Sequence, residues 1–262
     1  MNANLRNATL KGAKLGLKPP KAAPSCAPNC FGANLQFADL SYANLSGANL
    51  SYAGLAYATL NYANLSRANL THSSLYSATL SYASLLQADL TNATLDYANL
   101  ADAFLYRATV KSANLVGATL TSANLSGANL SSANLTKALL NSATLNSAIL
   151  NSATLTDADL SHAFMYGATL DSANLTGAFL TGATLSSTVL DSATLTRATL
   201  SYADLTGATL TGANLTRATL SYADLTSANL TGATLSYANF SNAWGCSSVT
   251  PFGILAGLGC AV

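Results

Sequence analysis

The residue types that carry most enzyme chemistry are scarce in this chain and far apart. There are two histidines, His72 and His162, and all ten acidic residues are aspartates. Catalysis and metal binding need several such groups to converge on one point. No spacing typical of a phosphate loop or of a zinc protease helix is present in the sequence. We therefore predict a non-enzymatic protein with no catalytic residues, no cofactor and no metal site.

The cysteines form two pairs, Cys26 with Cys30 and Cys246 with Cys260, near the two ends of the sequence. The elongated fold predicted below keeps the pairs tens of ångströms apart, so within one chain they cannot cross-link or share a zinc ion. Each pair is a candidate local disulfide, and free thiols are the alternative.

The elements that position these residues follow a repeat of five residues, A-x-L-x-x. Residues 196–215 and 216–235 agree at seventeen of twenty positions, and leucine recurs at every fifth position within them. On an α-helix, five residues advance about 500°, so successive leucines would lie about 140° apart and form no stripe. In a straight strand an odd period would send each leucine to the opposite face. The repeat therefore predicts neither a regular helix nor a long strand.

A chain that turns once per repeat satisfies the pattern. Ala and Leu are two residues apart, so in a short extended piece both point to one side, and the remaining two residues form a corner. The near-copy at a separation of twenty predicts four corners per coil, with residues twenty apart stacked at roughly 4.8 Å. One coil alone buries too little to offset its loss of entropy, so stability has to come from stacking.

The A-(N/D/T)-L-x-x pattern closely resembles that of the pentapeptide-repeat family. The resemblance extends from Ala3-Asn4-Leu5 to Ala238-Asn239-Phe240. It implies an all-β fold, a right-handed quadrilateral β-helix of about 20 residues per coil. Some members of the family imitate DNA and bind type II topoisomerases, which supplies an alternative function.

The pattern divides the chain into four segments. Residues 1–15 form a partial coil, and residues 16–30, rich in proline and containing two cysteines, form an inserted loop. Residues 31–240 are a continuous β-helix of about ten and a half coils, roughly 50 Å long. Residues 241–262 are an apolar, uncharged cap or tail.

Threonine and asparagine supply the most regular surface. Stacked Asn/Thr-Leu-Thr units recur at intervals of twenty residues, giving a candidate polar ladder of Thr136, Thr156, Thr176, Thr196 and Thr216. The array resembles the flat Thr-x-Thr surfaces of ice-binding β-solenoids. The interpretation that we favour is that these residues are simply good polar ladder formers.

Aromatic and apolar side chains occupy other outward positions. Tyr42, Tyr62 and Tyr82 share one column, which predicts a structural stack. Apolar residues before the core leucine fall on three faces and do not form one clean patch: Phe104, Leu139, Ile149, Phe164, Phe179 and Val189. Phe104 and Phe164 share a column but lie three coils apart.

Composition limits the partners and the compartment. Charged residues make up 8% of the chain and the net charge is +1, which predicts no nucleic-acid partner. The mean hydropathy is +0.30, yet no apolar run approaches the roughly 20 residues that span a bilayer, so we predict no membrane partner. The sequence enters the repeat at once without the apolar stretch of a signal peptide, so we expect the cytoplasm by default. Low charge would also suit a secreted or surface protein whose leader has been removed.

The leading hypothesis is a structural or protein-binding scaffold that acts through its stacked surface and its ends. The open end of a β-solenoid invites another chain to stack on it. Candidate self-association residues lie in the apolar tail: Trp244, Phe252, Ile254, Leu255 and Leu258. Tail against tail would give a homodimer, whereas tail against N-terminus would give a filament. A tail folded back as the chain's own cap is the alternative.

Overall fold

The computed structural model describes residues 29–245, 247–250 and 253–254, and these form a column of stacked coils. Parallel bridges join each outward residue that precedes a core position to the residue twenty positions later. The first is Asn29 with Asn49 and the last is Asn229 with Val249. The four-sided coil of twenty residues predicted from the sequence is therefore confirmed.

The core consists of the alanine and leucine of each repeat. These side chains point inward from all four faces, and the leucines from Leu35 to Leu230 are essentially inaccessible. Two alanine positions hold hydroxyl residues instead, and both hydroxyls have partners. The Ser73 hydroxyl donates to the Leu70 carbonyl at 2.7 Å, and the Thr188 hydroxyl donates to the Met165 carbonyl at 3.0 Å. The narrow core thus tolerates a polar atom where a carbonyl lies within reach.

Each corner is a tight turn closed by a hydrogen bond from the alanine N–H to the carbonyl of the leucine three residues earlier, for example from Ala48 to Leu45 at 3.0 Å. The second corner residue has a φ between +51° and +69° throughout the column. A positive φ at this place is typical of a type II turn, in which glycine is preferred. Most corners of this chain nevertheless carry serine, tyrosine or another non-glycine residue.

The backbone N–H groups are satisfied between coils. In the repeat 124–128, four N–H groups donate to carbonyls: Asn124 to Ala103, Leu125 to Thr144, Gly127 to Asn146 and Ala128 to Leu125. The fifth, that of Ser126, donates to the side-chain oxygen of Asn124 at 3.0 Å. An Asn or Asp before the leucine therefore completes the hydrogen bonding of the corner that follows.

Where the outward residue is not an Asn or Asp, the preceding coil supplies the acceptor at several corners. The side chain responsible is an Asn or Asp at the first corner position, twenty residues earlier in the chain. It accepts the N–H at four corners: Asn61 from Ser81, Asn146 from Tyr166, Asn151 from Asp171 and Asp191 from Thr211. The same corner amide is thus satisfied in two ways.

The ladder is longer than the segment 31–240 defined from the sequence. Asn29 already pairs with Asn49, and Cys30, assigned to the inserted loop, is fully buried at a leucine position. At the other end, Trp244 pairs with Asp224, and β1 (Val249–Thr250) pairs antiparallel with β2 (Gly253–Ile254). Residues 1–28, predicted as a partial coil and loop, lie outside the described part of the chain. Within that part, no helix has the length and apolarity that a membrane span requires.

Two corner glycines form a matched pair for testing how corner side chains pack. A Cβ on Gly117 would lie 2.8 Å from Cε1 of Tyr97, whereas the nearest atom to a Cβ on Gly207 is the Ser187 hydroxyl at 3.9 Å. Their φ values are +63° and +65°, so the backbone strain of an alanine is the same at both. We expect Gly117→Ala to lower the free energy of unfolding by on the order of 1 kcal/mol more than Gly207→Ala does, because the added methyl group displaces the Tyr97 ring from its packing position over Gly117.

Urea denaturation of the two variants and the parent chain, under one set of conditions, measures this difference. Equal midpoints for Gly117→Ala and Gly207→Ala would mean that the Tyr97 ring does not pack over the next coil.

Candidate functional site

The residues of classical enzyme chemistry are not brought together. His72 stacks on Tyr52 at one corner, with 4.8 Å between the ring centroids. His162 lies over Gly182 on the diagonally opposite corner column. Ninety residues separate the two histidines, which at roughly 4.8 Å per coil is roughly 22 Å along the column. In the described residues, no group of three or more metal-binding side chains is close enough to hold an ion.

The predicted polar ladder forms one straight column of first corner residues, but its hydroxyls are not equivalent. The Thr136 and Thr176 hydroxyls each donate to the side-chain oxygen of the asparagine two residues earlier, both at 2.7 Å. Thr156 and Thr196 follow a threonine rather than an asparagine, so this partner is absent at their own coil. From Thr136 to Thr196 the hydroxyl hydrogen bonding therefore alternates from coil to coil, and the hydroxyls do not form a uniform lattice.

The carboxylates do not form a long row. Asp204 and Asp224 stack on one face, and Asp171 and Asp191 occupy successive coils at a corner, but no described column holds more than two consecutive aspartates. Burial opposes ionisation of Asp224, yet hydrogen bonds from Thr226, Trp244 and Thr206 outweigh it and hold the pKa of the carboxyl below its usual value. Asp224 is therefore a fixed negative charge on its face.

Two other titratable groups are shifted by their neighbours. Burial raises the pKa of Asp96 against opposing hydrogen bonds from backbone N–H groups. A hydrogen bond to Asp102, with the charge of that carboxylate, raises the pKa of Tyr82. The two residues lie on different corners, so neither shift belongs to a common site.

Aromatic ladders line two corners of the first coils. The rings of Tyr42, Tyr62 and Tyr82 are spaced 5.0 Å apart and are parallel to within 6°. Phe37 and Tyr57 stack in the same way on the next corner, also at 5.0 Å. The rings cover one another's faces and leave their edges exposed, so the ladder's main effect is to hold successive coils in register.

The outward apolar residues include two related groups that sequence reasoning treated as separate single residues. Phe104-Leu105-Tyr106 and Phe164-Met165-Tyr166 lie on the same face of the column. The side chains of Phe104 and Phe164 are 51% and 50% exposed, and both tyrosines are exposed too. The sequence signal for this grouping is that each Phe is followed two residues later by a Tyr, at the same position of the twenty-residue period.

The predicted end residues are only partly described. The Trp244 side chain is half-buried on the outward face beside Asp224, to which it is hydrogen-bonded, rather than on the open end. Phe252, Leu255 and Leu258 lie outside the described residues, and for Ile254 only the backbone strand is described. Leu235 and Phe240 instead mark the end of the core, since both are only partly buried.

Of the four cysteines, the structure describes Cys30. It is disulfide-bonded, and its side chain occupies a core position of the first described coil. Cys26, Cys246 and Cys260 lie outside the described residues.

Comparison with known proteins shows where this architecture occurs. The family model described as pentapeptide repeats matches eight copies, within residues 29–61, 53–81, 73–111, 113–151, 148–186, 173–212 and 213–244. No curated protein matches the chain significantly.

Solved structures of repeat proteins are similar to the chain. HetL, a pentapeptide repeat protein involved in heterocyst differentiation regulation in the cyanobacterium Nostoc sp. strain PCC 7120, is 38% identical, with 86% of this chain and 91% of HetL covered and a TM-score of 0.40. Trypsin-treated QnrB1, a plasmid-mediated fluoroquinolone resistance protein, is 22% identical, with 64% and 76% covered and a TM-score of 0.36. Rfr23 from the cyanobacterium Cyanothece 51142 is 37% identical, with 37% and 63% covered and a TM-score of 0.20.

The alternation of hydrogen bonds along the polar ladder leads to a test of ice binding. We expect the protein to produce no thermal hysteresis and no ice shaping. Two variants test this: replacement of Thr156, Thr176 and Thr196 by tyrosine, and, as the control, replacement of Thr199 and Thr219 on the neighbouring face by tyrosine. Hysteresis that the first variant loses and the control keeps would contradict this expectation and the proposed scaffold function.

Proposed function

We propose, on the premise that the chain belongs to the pentapeptide-repeat family and folds as a right-handed quadrilateral β-helix, that it is a non-enzymatic scaffold that binds protein. Its partners are other proteins or further copies of itself, and it recognises them through straight columns of outward side chains and through its ends.

The observation that carries this proposal is how the repeat divides its five residues. Alanine and leucine fill the core, and the backbone N–H and C=O groups are largely hydrogen-bonded between coils. Only the outward residue and the two corner residues vary, and they recur in straight rows about 4.8 Å apart. Such a surface presents extended rows of side chains rather than a pocket in which several groups converge, and this geometry suits protein recognition better than catalysis.

Self-association through the C-terminal end is part of the proposal. Leu235, Ala238 and Phe240 are only partly buried, whereas core residues at the same positions in the coils below are fully buried. An incompletely covered core at the end of a solenoid favours docking of further apolar groups, and in this proposal the apolar tail of a second copy supplies them. With a net charge of +1, the protein offers little repulsion against such contact.

Light scattering on the intact chain and on a chain stopped after Trp244 tests the end contact. We expect the intact chain to form larger particles than the shortened chain, because the shortened chain lacks the apolar tail. Equal particle masses for the two chains, at equal concentrations, would remove the end contact from the proposal.

The topoisomerase alternative predicts a different outcome and has its own test. A DNA mimic needs a dense row of negative charge in place of phosphates. Here Asp204 stacks on Asp224 and Asp171 on Asp191, while the other six aspartates of the sequence are scattered. Arg197 and Arg217 occupy successive coils at one corner of the same end of the column. We expect no inhibition of DNA supercoiling by gyrase; inhibition at low micromolar protein, lost on Asp204→Asn/Asp224→Asn, would overturn the scaffold proposal in favour of mimicry.

A further inference from the structure

The face that carries Phe104 has an arrangement that the proposed end contact does not use. We call it the Phe104 face: the outward residues in steps of twenty from Asn44 to Trp244, each bridged to the next. Every outward residue on this face from Asn44 to Thr184 is uncharged, and the row ends with Asp204, Asp224 and Trp244. This outward row is therefore neutral over most of its length and negative near one end, and the corners beside Phe104 carry one charge of each sign, Asp102 and Arg107.

Two equal aromatic groups lie on the neutral part of the Phe104 face. Phe104 with Tyr106 and Phe164 with Tyr166 are three coils apart, roughly 14 Å. Between them lie Asn124 and Thr144, which are smaller and half-buried. Aromatic residues are enriched in protein interfaces, and here two exposed aromatic groups flank a polar centre.

The spacing of the two groups matches a two-fold axis. An axis that lies in the contact plane, perpendicular to the column and level with the midpoint between Asn124 and Thr144, brings Phe104 of one copy opposite Phe164 of a second. We propose that two copies of this chain pair antiparallel through the Phe104 face. Phe104 of each copy then lies opposite Phe164 of the second copy, and Asn124 lies opposite Thr144. Such a contact is isologous, and it closes without leaving a free binding surface.

The same register matches the ends of the face. Asn64 lies opposite Asp204 of the second copy, and Asn44 lies opposite Asp224. The side-chain oxygens of Asn64 and Asn44 already accept the N–H of the serine two residues later. Their amide N–H₂ groups remain as donors for the carboxylates. Each negative charge thus meets a hydrogen-bond donor.

Charge also decides the direction of pairing. A parallel pair, related by an axis along the column, would place Phe104 opposite Phe104 and Phe164 opposite Phe164, so the aromatic contacts alone do not discriminate. It would, however, place Asp204 opposite Asp204 and Asp224 opposite Asp224. Like charges that face each other across an interface are unfavourable, and the low pKa of Asp224 keeps its charge in place. The antiparallel pair avoids both contacts.

Successive coils do not tilt against one another where their rings stack. Tyr42 and Tyr62, in early coils, are parallel to within 3°, and so are Tyr202 and Tyr222 near the other end. The bridges between coils keep the outward residues of the Phe104 face in one unbroken row from Asn44 to Trp244.

Sedimentation velocity of the full chain and of charge variants tests the pairing. In a pair of identical variants, Phe104→Asp or Phe164→Arg places a charge against an aromatic ring at both Phe104–Phe164 contacts. Each variant alone is therefore expected to have at most half the particle mass of the parent chain. A mixture of the two variants is expected to associate again, because one Asp–Arg pair and one Phe–Phe pair then form. Phe179→Asp is the matched control, since Phe179 is also 50% exposed but lies on the next face.

Several outcomes would overturn the proposal. They are a monomeric parent chain, variants that associate like the parent, a control as impaired as the variants, and single variants that fail to associate when mixed.

The double variant Phe104→Thr/Phe164→Thr controls for loss of association through misfolding, because threonine is common at this position in the chain. This variant is expected to lose association while its circular dichroism spectrum is unchanged. The test is independent of the tail, since loss of the end contact alone leaves the antiparallel pair.

Discussion

The structure depends on one constraint: the backbone N–H and C=O groups of a coil find most of their partners in the coils directly above and below. The repeat has five N–H groups, and in a repeat such as 124–128 three of them donate to neighbouring coils, one closes the corner and one is accepted by Asn124. Because unpaired buried groups are costly, residue i must stay in register with residue i + 20. The straight side-chain columns, and every surface property that follows from them, are consequences of this register.

The fold could be predicted from the sequence because each repeat determines which side chains are buried and how successive coils align. Ala and Leu two residues apart determine which side is buried, and the near-copy of residues 196–215 determines the number of sides. The start of the ladder could not be predicted from leucine spacing, because Cys30 occupies a leucine position and is as buried as one. The corner conformation was also beyond sequence reasoning: residues such as Tyr62 adopt a positive φ that their type does not favour. Hydrogen bonds and stacking between coils hold them there.

The surface could be predicted only in part, because it depends on relations between coils. Each column is read by stepping twenty residues, but the sequence does not say which side chains reach their neighbours. Asn61 accepts the N–H of Ser81 in the next coil, while Asn64 accepts from its own corner. The shared column of Phe104 and Phe164 is likewise evident from the sequence, but their exposure is not. Their significance lies in the exposed tyrosine beside each ring and in the uncharged outward residues, Asn124 and Thr144, between them.

The two contacts proposed for this protein have a joint geometric consequence. Tail-to-tail stacking reverses the direction of the column, so its two-fold axis is perpendicular to the column and passes through the end. The axis of the Phe104 contact is also perpendicular to the column, but it lies in the contact plane, level with the middle of the column and roughly 25 Å away along it. Two such axes displaced along one line do not intersect, and applying them in turn shifts a chain along the column by twice their separation. A closed tetramer is therefore impossible. The two contacts together generate an open, staggered fibre, whereas either one alone gives a dimer.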